Sequence, residues 1–211
     1  MFHFPSWTLT VRDTAGLLAV GGLLYVVVIV TFGFSPKTTD VGYQPTQPVP
    51  FSHAVHAGEL GIDCRYCHNT VEKAGHAAIP PTATCMNCHS MIHTESEKLE
   101  LVRESYESGD AIPWVRVHDL PDYAYFNHAA HLAAGVGCSS CHGRIDRMEV
   151  VHQDQPLSMG WCLDCHRNPE PHIRPQSEIT NMDWELDAEL GAQLLAERNI
   201  EPKQNCSTCH R

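Results

Sequence analysis

Five copies of C-x-x-C-H use up every cysteine in this 211-residue chain. The pairs are Cys64/Cys67, Cys85/Cys88, Cys138/Cys141, Cys162/Cys165 and Cys206/Cys209, each followed at once by a histidine: His68, His89, His142, His166 and His210. Structural zinc explains paired cysteines but not an adjacent histidine every time. Disulfide frameworks rarely repeat one tight spacing, and a thioredoxin-like pair would occur once. C-x-x-C-H is the attachment sequence of c-type haem. Two thioethers must reach two former vinyl groups on one porphyrin edge, and a compact turn spans them. The following imidazole then lies beneath the ring as the proximal iron ligand. The ten cysteines therefore predict five covalently attached haem c groups.

So many haems on so short a chain dictate the fold class. The porphyrins become the hydrophobic core, which predicts a multihaem cytochrome c, mostly irregular, with short α-helices packed around haems. Two longer helices are expected. Residues 94–109 carry a capping box at Thr94/Glu97 and a stop at Gly109, and residues 183–199 place Leu186, Leu190 and Leu194 on one face.

Before the first motif, Thr14 to Phe34 is free of charge over 21 residues, enough to cross a bilayer core of about 30 Å. Residues 1–35 are expected to form an N-terminal transmembrane anchor that is retained rather than cleaved, since nothing resembling A-x-A follows Phe34. Because c-type haems are attached outside the cytoplasmic membrane, the expected topology is a single pass in the cell membrane. The N-terminus is then cytoplasmic, and the haem domain lies on the periplasmic or extracellular face. Residues 36–50, with four prolines, read as an extended linker.

Residues 51–211 contain an internal repeat. "FSHAVHAGELGIDCRYCH" (51–68) matches "FNHAAHLAAGVGCSSCH" (126–142), and each is followed by a further histidine and a second motif. This predicts two di-haem units, 51–117 and 118–172, with the fifth haem on 173–211.

Five irons call for five distal ligands. Histidines three apart on a turn share a face, so His53, His56, His128 and His131 are the leading candidates. His118 and the repeat-related His76 and His152 come next, then His93 and His172, while His3 falls on the cytoplasmic side of the anchor. Met159 and Met182 are rival ligands that would raise a reduction potential. Mostly bis-histidine irons have no open position, so the chain is expected to carry electrons and to have no substrate-transforming site of its own. Lys+Arg total 14 against 25 Asp+Glu, a net charge of -11. That balance excludes nucleic acid as a partner, because phosphate binding needs clustered positive charge.

An apolar N-terminal segment followed by "FSHAVH", "CRYCHNTVEKAGHAAIPPTATCMNCH", "WVRVHDLPDYAYFNHAAH", "MGWCLDCHRNPEPH" and "CSTCH" resembles the pentahaem cytochrome c subunit (ActA) of alternative complex III, over nearly the whole chain. The resemblance implies a subunit of a bacterial quinol oxidoreductase. Its partners would be an iron–sulfur subunit, quinol-binding membrane subunits and a mono-haem cytochrome c, with membrane lipid around the anchor. Electrons derived from menaquinol would pass through the chain to the mono-haem cytochrome or another acceptor. The H-x-x-H blocks also resemble class III and c7-type cytochromes. Two alternatives stand beside this reading. A quinol dehydrogenase of the NapC/NirT kind shares the single helix but typically has four haems. A multihaem reductase such as a nitrite reductase would need one open iron.

Overall fold

A computed structural model describes residues 5–210 and divides the chain into two units, the first ending at Val41 and the second starting at Gly42. His3 lies outside the described residues.

In the first unit, helix α1 runs Ser6–Val28 and continues as a π-type turn over Ile29–Gly33. It starts eight residues ahead of the uncharged stretch, because Pro5 is preorganised to lead into a helix and nothing before Thr14 breaks one. Arg12 and Asp13 thus lie within it, paired at 3.1 Å. Ser6–Gly33 has a mean hydropathy of 2.4 over its most apolar window and none of that window is buried. A short helix α2, Pro36–Thr39, follows.

The second unit contains short helices: α3 (Cys64–Cys67), α4 (Thr82–His89), α5 (Glu100–Ser108), α6 (His128–Ala134), α7 (Ser139–His142), α8 (Met159–Arg167), α9 (Ala188–Arg198) and α10 (Cys206–Cys209). Turns and bends join them. Among the described residues no β-strand forms, and the one isolated bridge joins Val136 to Ile173. The expected linker is divided. Residues 42–50 dock on the second unit, with Gly42 N–H donating to Gln153 O (2.8 Å), Gln153 N–H to Tyr43 O (3.0 Å) and Gln47 bonded to both backbone groups of Val115. Val49 is buried there.

Both longer helices begin later than their patterns imply. The Thr94 capping box does not form. The carbonyls of Thr94 and Ser96 instead accept from Arg103 Nη1, both at 2.9 Å, so α5 starts at Glu100 after a 3₁₀ turn. It stops at Gly109, whose φ of 81° is the left-handed cap expected there. Helix α9 starts at Ala188, where the Asp187 carboxylate accepts from Leu190 N–H at 2.9 Å. Leu186 therefore precedes the helix and is exposed rather than on its face.

The two repeats complete each other. Ala54 N–H of the first donates to Met148 O of the second (3.1 Å), and Ala129 N–H of the second donates to Ala74 O of the first (3.2 Å). Each H-x-x-H turn thus docks on the loop that follows the other repeat's first motif. Gly58 shows how close this docking is, since a Cβ there would lie 2.3 Å from Asp146 O. The apolar core is very small. Only Val49, Val102, Leu132, Met148, Ile173 and Ile179 are buried hydrophobic side chains among the described residues.

Candidate functional site

Each C-x-x-C-H motif folds as one helical turn or lies within a short helix, so its two sulfurs, three residues apart, lie on one side. The Asp63 carboxylate caps α3 by accepting from Arg65 N–H at 2.8 Å, and Ser158 Oγ caps α8 by accepting from Trp161 N–H at 3.3 Å. None of the ten cysteines is in a disulfide. Among the described residues no three His, Cys, Asp or Glu side chains converge as a structural zinc requires.

The sulfurs of different motifs approach one another. The Cys64 and Cys138 thiols are close enough to influence each other, which raises Cys138 and lowers Cys64. Cys67 is raised by burial and then by Cys85, Cys64 and Cys88; Cys141 by burial and then by Cys165 and Cys162; Cys162 by burial and then by Cys209. Once thioethers have formed these sulfurs no longer titrate, and what remains of these interactions is proximity.

The histidines sort themselves by what Nδ1 touches. It donates to a backbone carbonyl in His56 (Ser52, 2.8 Å), His68 (Ala78, 2.9 Å), His89 (Ile92, 3.0 Å), His128 (Gly75, 2.9 Å), His131 (Asn127, 2.8 Å), His166 (Lys203, 2.7 Å) and His210 (Tyr123, 3.1 Å). A carbonyl can only accept, so Nδ1 carries the proton and the Nε2 lone pair is free to ligate a metal. Four of these seven end attachment motifs.

Three pairs of rings lie near each other, edge-on at 62° in His56–His89, tilted at 48° in His131–His166 and stacked in His128–His142. His56 and His89 have centroids 6.2 Å apart, His131 and His166 6.1 Å, and His128 and His142 6.5 Å with planes 9° from parallel. Two imidazoles bound on opposite sides of one metal, with bonds of about 2 Å, have ring centres roughly 6 Å apart. The donor set therefore fits an iron that paired imidazoles would hold. The first two pairs are repeat equivalents, with the second histidine of each H-x-x-H turn opposite the second motif of its own repeat. His53 is close enough to His68 to be depressed by it, and its Nδ1 is buried without a partner.

The remaining histidines are placed differently. His118 Nε2 lies 3.3 Å from His142 Nδ1, with ring centroids 4.4 Å apart. That is a hydrogen bond beside the His142 ring, not an imidazole opposite it. His76 and His93 are exposed, while His152 and His172 are half-buried. Met159, at the start of α8, is 67% exposed, and Met182 is half-buried. For His210 the neighbouring ring is Tyr123, at 5.8 Å.

Burial also keeps these imidazoles neutral, the form that ligates. His53 is lowered to about 4 by burial and then by His68 and His56; His142 to about 3 by burial and then by His118, His128, His68 and His53. His128 and His131 are lowered by burial against an opposing backbone hydrogen bond. An unfolded chain binds these protons near pH 6.5, so between that pH and the folded values the unfolded state holds more protons. Stability is therefore full above about pH 6.5 and falls as pH drops toward 4 and then 3.

Motif reading alone does not reach the carbonyl partners of Ala78, Ile92, Gly75, Lys203 and Tyr123, because a backbone oxygen leaves no mark in sequence. Arg174 is a further addition. Its side chain is almost fully buried beside the third motif, donates to Asn181 O (3.0 Å) and Ser139 Oγ (3.3 Å), and has an unpartnered Nε.

Helical turns carrying C-x-x-C-H, a core with few buried apolar side chains and facing imidazoles define a multihaem cytochrome c. A family model described as Cytochrome c7 and related cytochrome c matches residues 124–211, and one described as the Class III cytochrome C family matches residues 34–112. These are the two groups that the H-x-x-H blocks resemble. The chain is also 31% identical over 171 residues to the menaquinone reductase, multiheme cytochrome c subunit, of Nitratidesulfovibrio vulgaris (strain Hildenborough), covering 70% of this chain and 80% of that protein. The chain belongs to the multihaem cytochrome c family that includes this subunit. It carries several covalent haem c groups and is an electron-transfer protein related to a quinone reductase component.

Proposed function

We propose that this chain is the pentahaem, membrane-anchored electron relay of a quinol oxidoreductase of the alternative complex III kind. The observation that carries this is the set of five complete C-x-x-C-H motifs on a chain that also bears one long apolar helix and belongs to the family of a menaquinone reductase subunit. Haem c would supply a one-electron iron couple, and an iron held by two imidazoles would be closed to substrate. The chain's own part is to hold neutral imidazoles at fixed places. His68, His89, His142, His166 and His210 serve as proximal ligands, with His53, His56, His128 and His131 opposite the first four in turn. His118 buttresses His142. The partners are an iron–sulfur subunit, quinol-binding membrane subunits and a mono-haem cytochrome c, with the haem domain outside the cytoplasmic membrane.

The ligand assignment predicts the outcome of substitution. His56→Ala and His131→Ala should each convert one low-spin ferric haem to a high-spin, ligand-accessible one without changing the number of covalently held haems. His76→Ala should leave the spectrum as it is. An unaltered spectrum in both of the first two variants removes them from the ligand set.

Isolation from membranes with associated subunits retained tests the function. The preparation should contain an iron–sulfur protein and integral membrane subunits, and added menaquinol should reduce its haems. Recovery of the chain alone, oxidising quinol by itself, would instead support a NapC/NirT-like dehydrogenase. The relative's name, menaquinone reductase, favours a second reading in which electrons run through this chain into the quinone pool. Pre-reduced haems would then be oxidised by menaquinone.

A further inference from the structure

We infer that the five attachment motifs form one unbranched line in the order second, first, third, fourth, fifth, so that electrons enter and leave the chain at the second and fifth motifs. The inference rests on the reading of five attached haems. In chain order the line would instead begin at the first motif.

Each link has its own contact. The second motif meets the first where Asn87 Nδ2 donates to Tyr66 Oη at 3.0 Å, two residues that lie inside their respective C-x-x-C turns. The His53–His56 turn serves both motifs, His56 facing His89 and His53 adjoining His68. The first motif meets the third through the strap at 179–180, with Cys138 N–H donating to Ile179 O (3.0 Å) and Thr180 Oγ1 to Asp63 Oδ2 (3.3 Å). The third and fourth motifs share α6, whose His128 faces His142 and whose His131 faces His166. The fourth meets the fifth where His166 Nδ1 donates to Lys203 O (2.7 Å) and Gln204 Nε2 to His166 O (3.5 Å).

The two ends are held differently. The contacts of the second motif's helix run back to Tyr66, to His56 and, through Thr82, to Ser105 of α5. After it come Met91 and Ile92, which are 82% and 52% exposed. The fifth motif is fixed by Tyr125 N–H on Cys209 O (2.8 Å) and by Tyr123, while Cys206 is exposed. The first and third motifs form the middle because the repeats exchange their docking loops there. Along such a line one electron moves at a time between neighbouring sites, one oxidised as the next is reduced, with no bond made or broken. The electron comes from a quinol-linked donor and leaves to a one-electron acceptor protein.

The test compares two double variants of the full haem-loaded chain, Cys85→Ser/Cys88→Ser and Cys64→Ser/Cys67→Ser. Mass first establishes five haems in the parent and four in each variant. A parent with fewer than five defeats the underlying reading, whatever the order. Electron redistribution after a sub-stoichiometric pulse of reductant is then followed. Loss of the second motif removes an end and should leave one kinetic phase. Loss of the first isolates the second and should split the response into a fast and a slow phase. Any other combination overturns the order.

Should the Cys64→Ser/Cys67→Ser chain fail to fold, variants that keep all five haems decide. In the ferric state, the new high-spin haem of His56→Ala should speed the magnetic relaxation of one low-spin neighbour, and that of His53→Ala should affect two. Equal numbers, or the reverse, overturn the order.

Discussion

Produced where haem attachment is blocked, the chain should lose the helices of residues 42–211 and become expanded and protease-sensitive. Six buried apolar side chains cannot offset the conformational entropy of ordering so many residues. The short helices give no independent support. Helices α3, α7 and α10 are four residues each, far below the length at which a helix persists alone in water. Far-UV circular dichroism of the haem-free chain should retain the signal of α1 and little else. A cooperative thermal transition within residues 42–211 without haem would show that the polypeptide has a core of its own.

The second large effect is expected at Gly191, on the face of α9 that packs against residues 170–172. A Cβ at this position would lie 1.8 Å from the Glu170 carbonyl oxygen and 2.8 Å from its carbon. Backbone cannot yield as a side-chain tip would, so Gly191→Ala must push α9 away from that turn. Overpacking of this kind should cost roughly 3 kcal/mol, and the residues leading to the fifth motif should loosen with it. Denaturant unfolding of the haem-loaded variant measures the first consequence, and faster proteolysis between residues 199 and 205 the second. Ala192→Gly, one position along the same helix, serves as the comparison and should cost no more than about 1 kcal/mol. A Gly191→Ala protein as stable as its parent would mean that α9 does not pack this closely.

What could be read from the residues was whatever covalent chemistry had fixed. A compact turn of one spacing carries every cysteine pair, so the ten cysteines and five following histidines were visible at once, as were the H-x-x-H blocks that recur with them. Patterns that depend on competition were less dependable. Thr94 and Glu97 look like a helix start, but Arg103 takes the carbonyls of Thr94 and Ser96, and α5 begins later. Leu186 fits the apolar periodicity, yet Asp187 is the better cap and leaves it outside α9. His118 and His76 could not be ranked by sequence because their difference is spatial. One lies against His142 and the other is exposed. The adjacency of the first and third motifs was hidden for the same reason, since Cys64 and Cys138 are brought together by an exchange between repeats.

That exchange bears on how the protein is made. A chain emerges N-terminus first, so Ala54 stays without its acceptor until Met148 has been synthesised. The first half should therefore remain open while its cysteines are presented for modification, with closure awaiting the second half. Two separately produced halves, divided within residues 109–117, should then be mutually dependent, each inert alone and competent when supplied together. Repeats joined in this way would be partners that depend on one another to close rather than beads on a string.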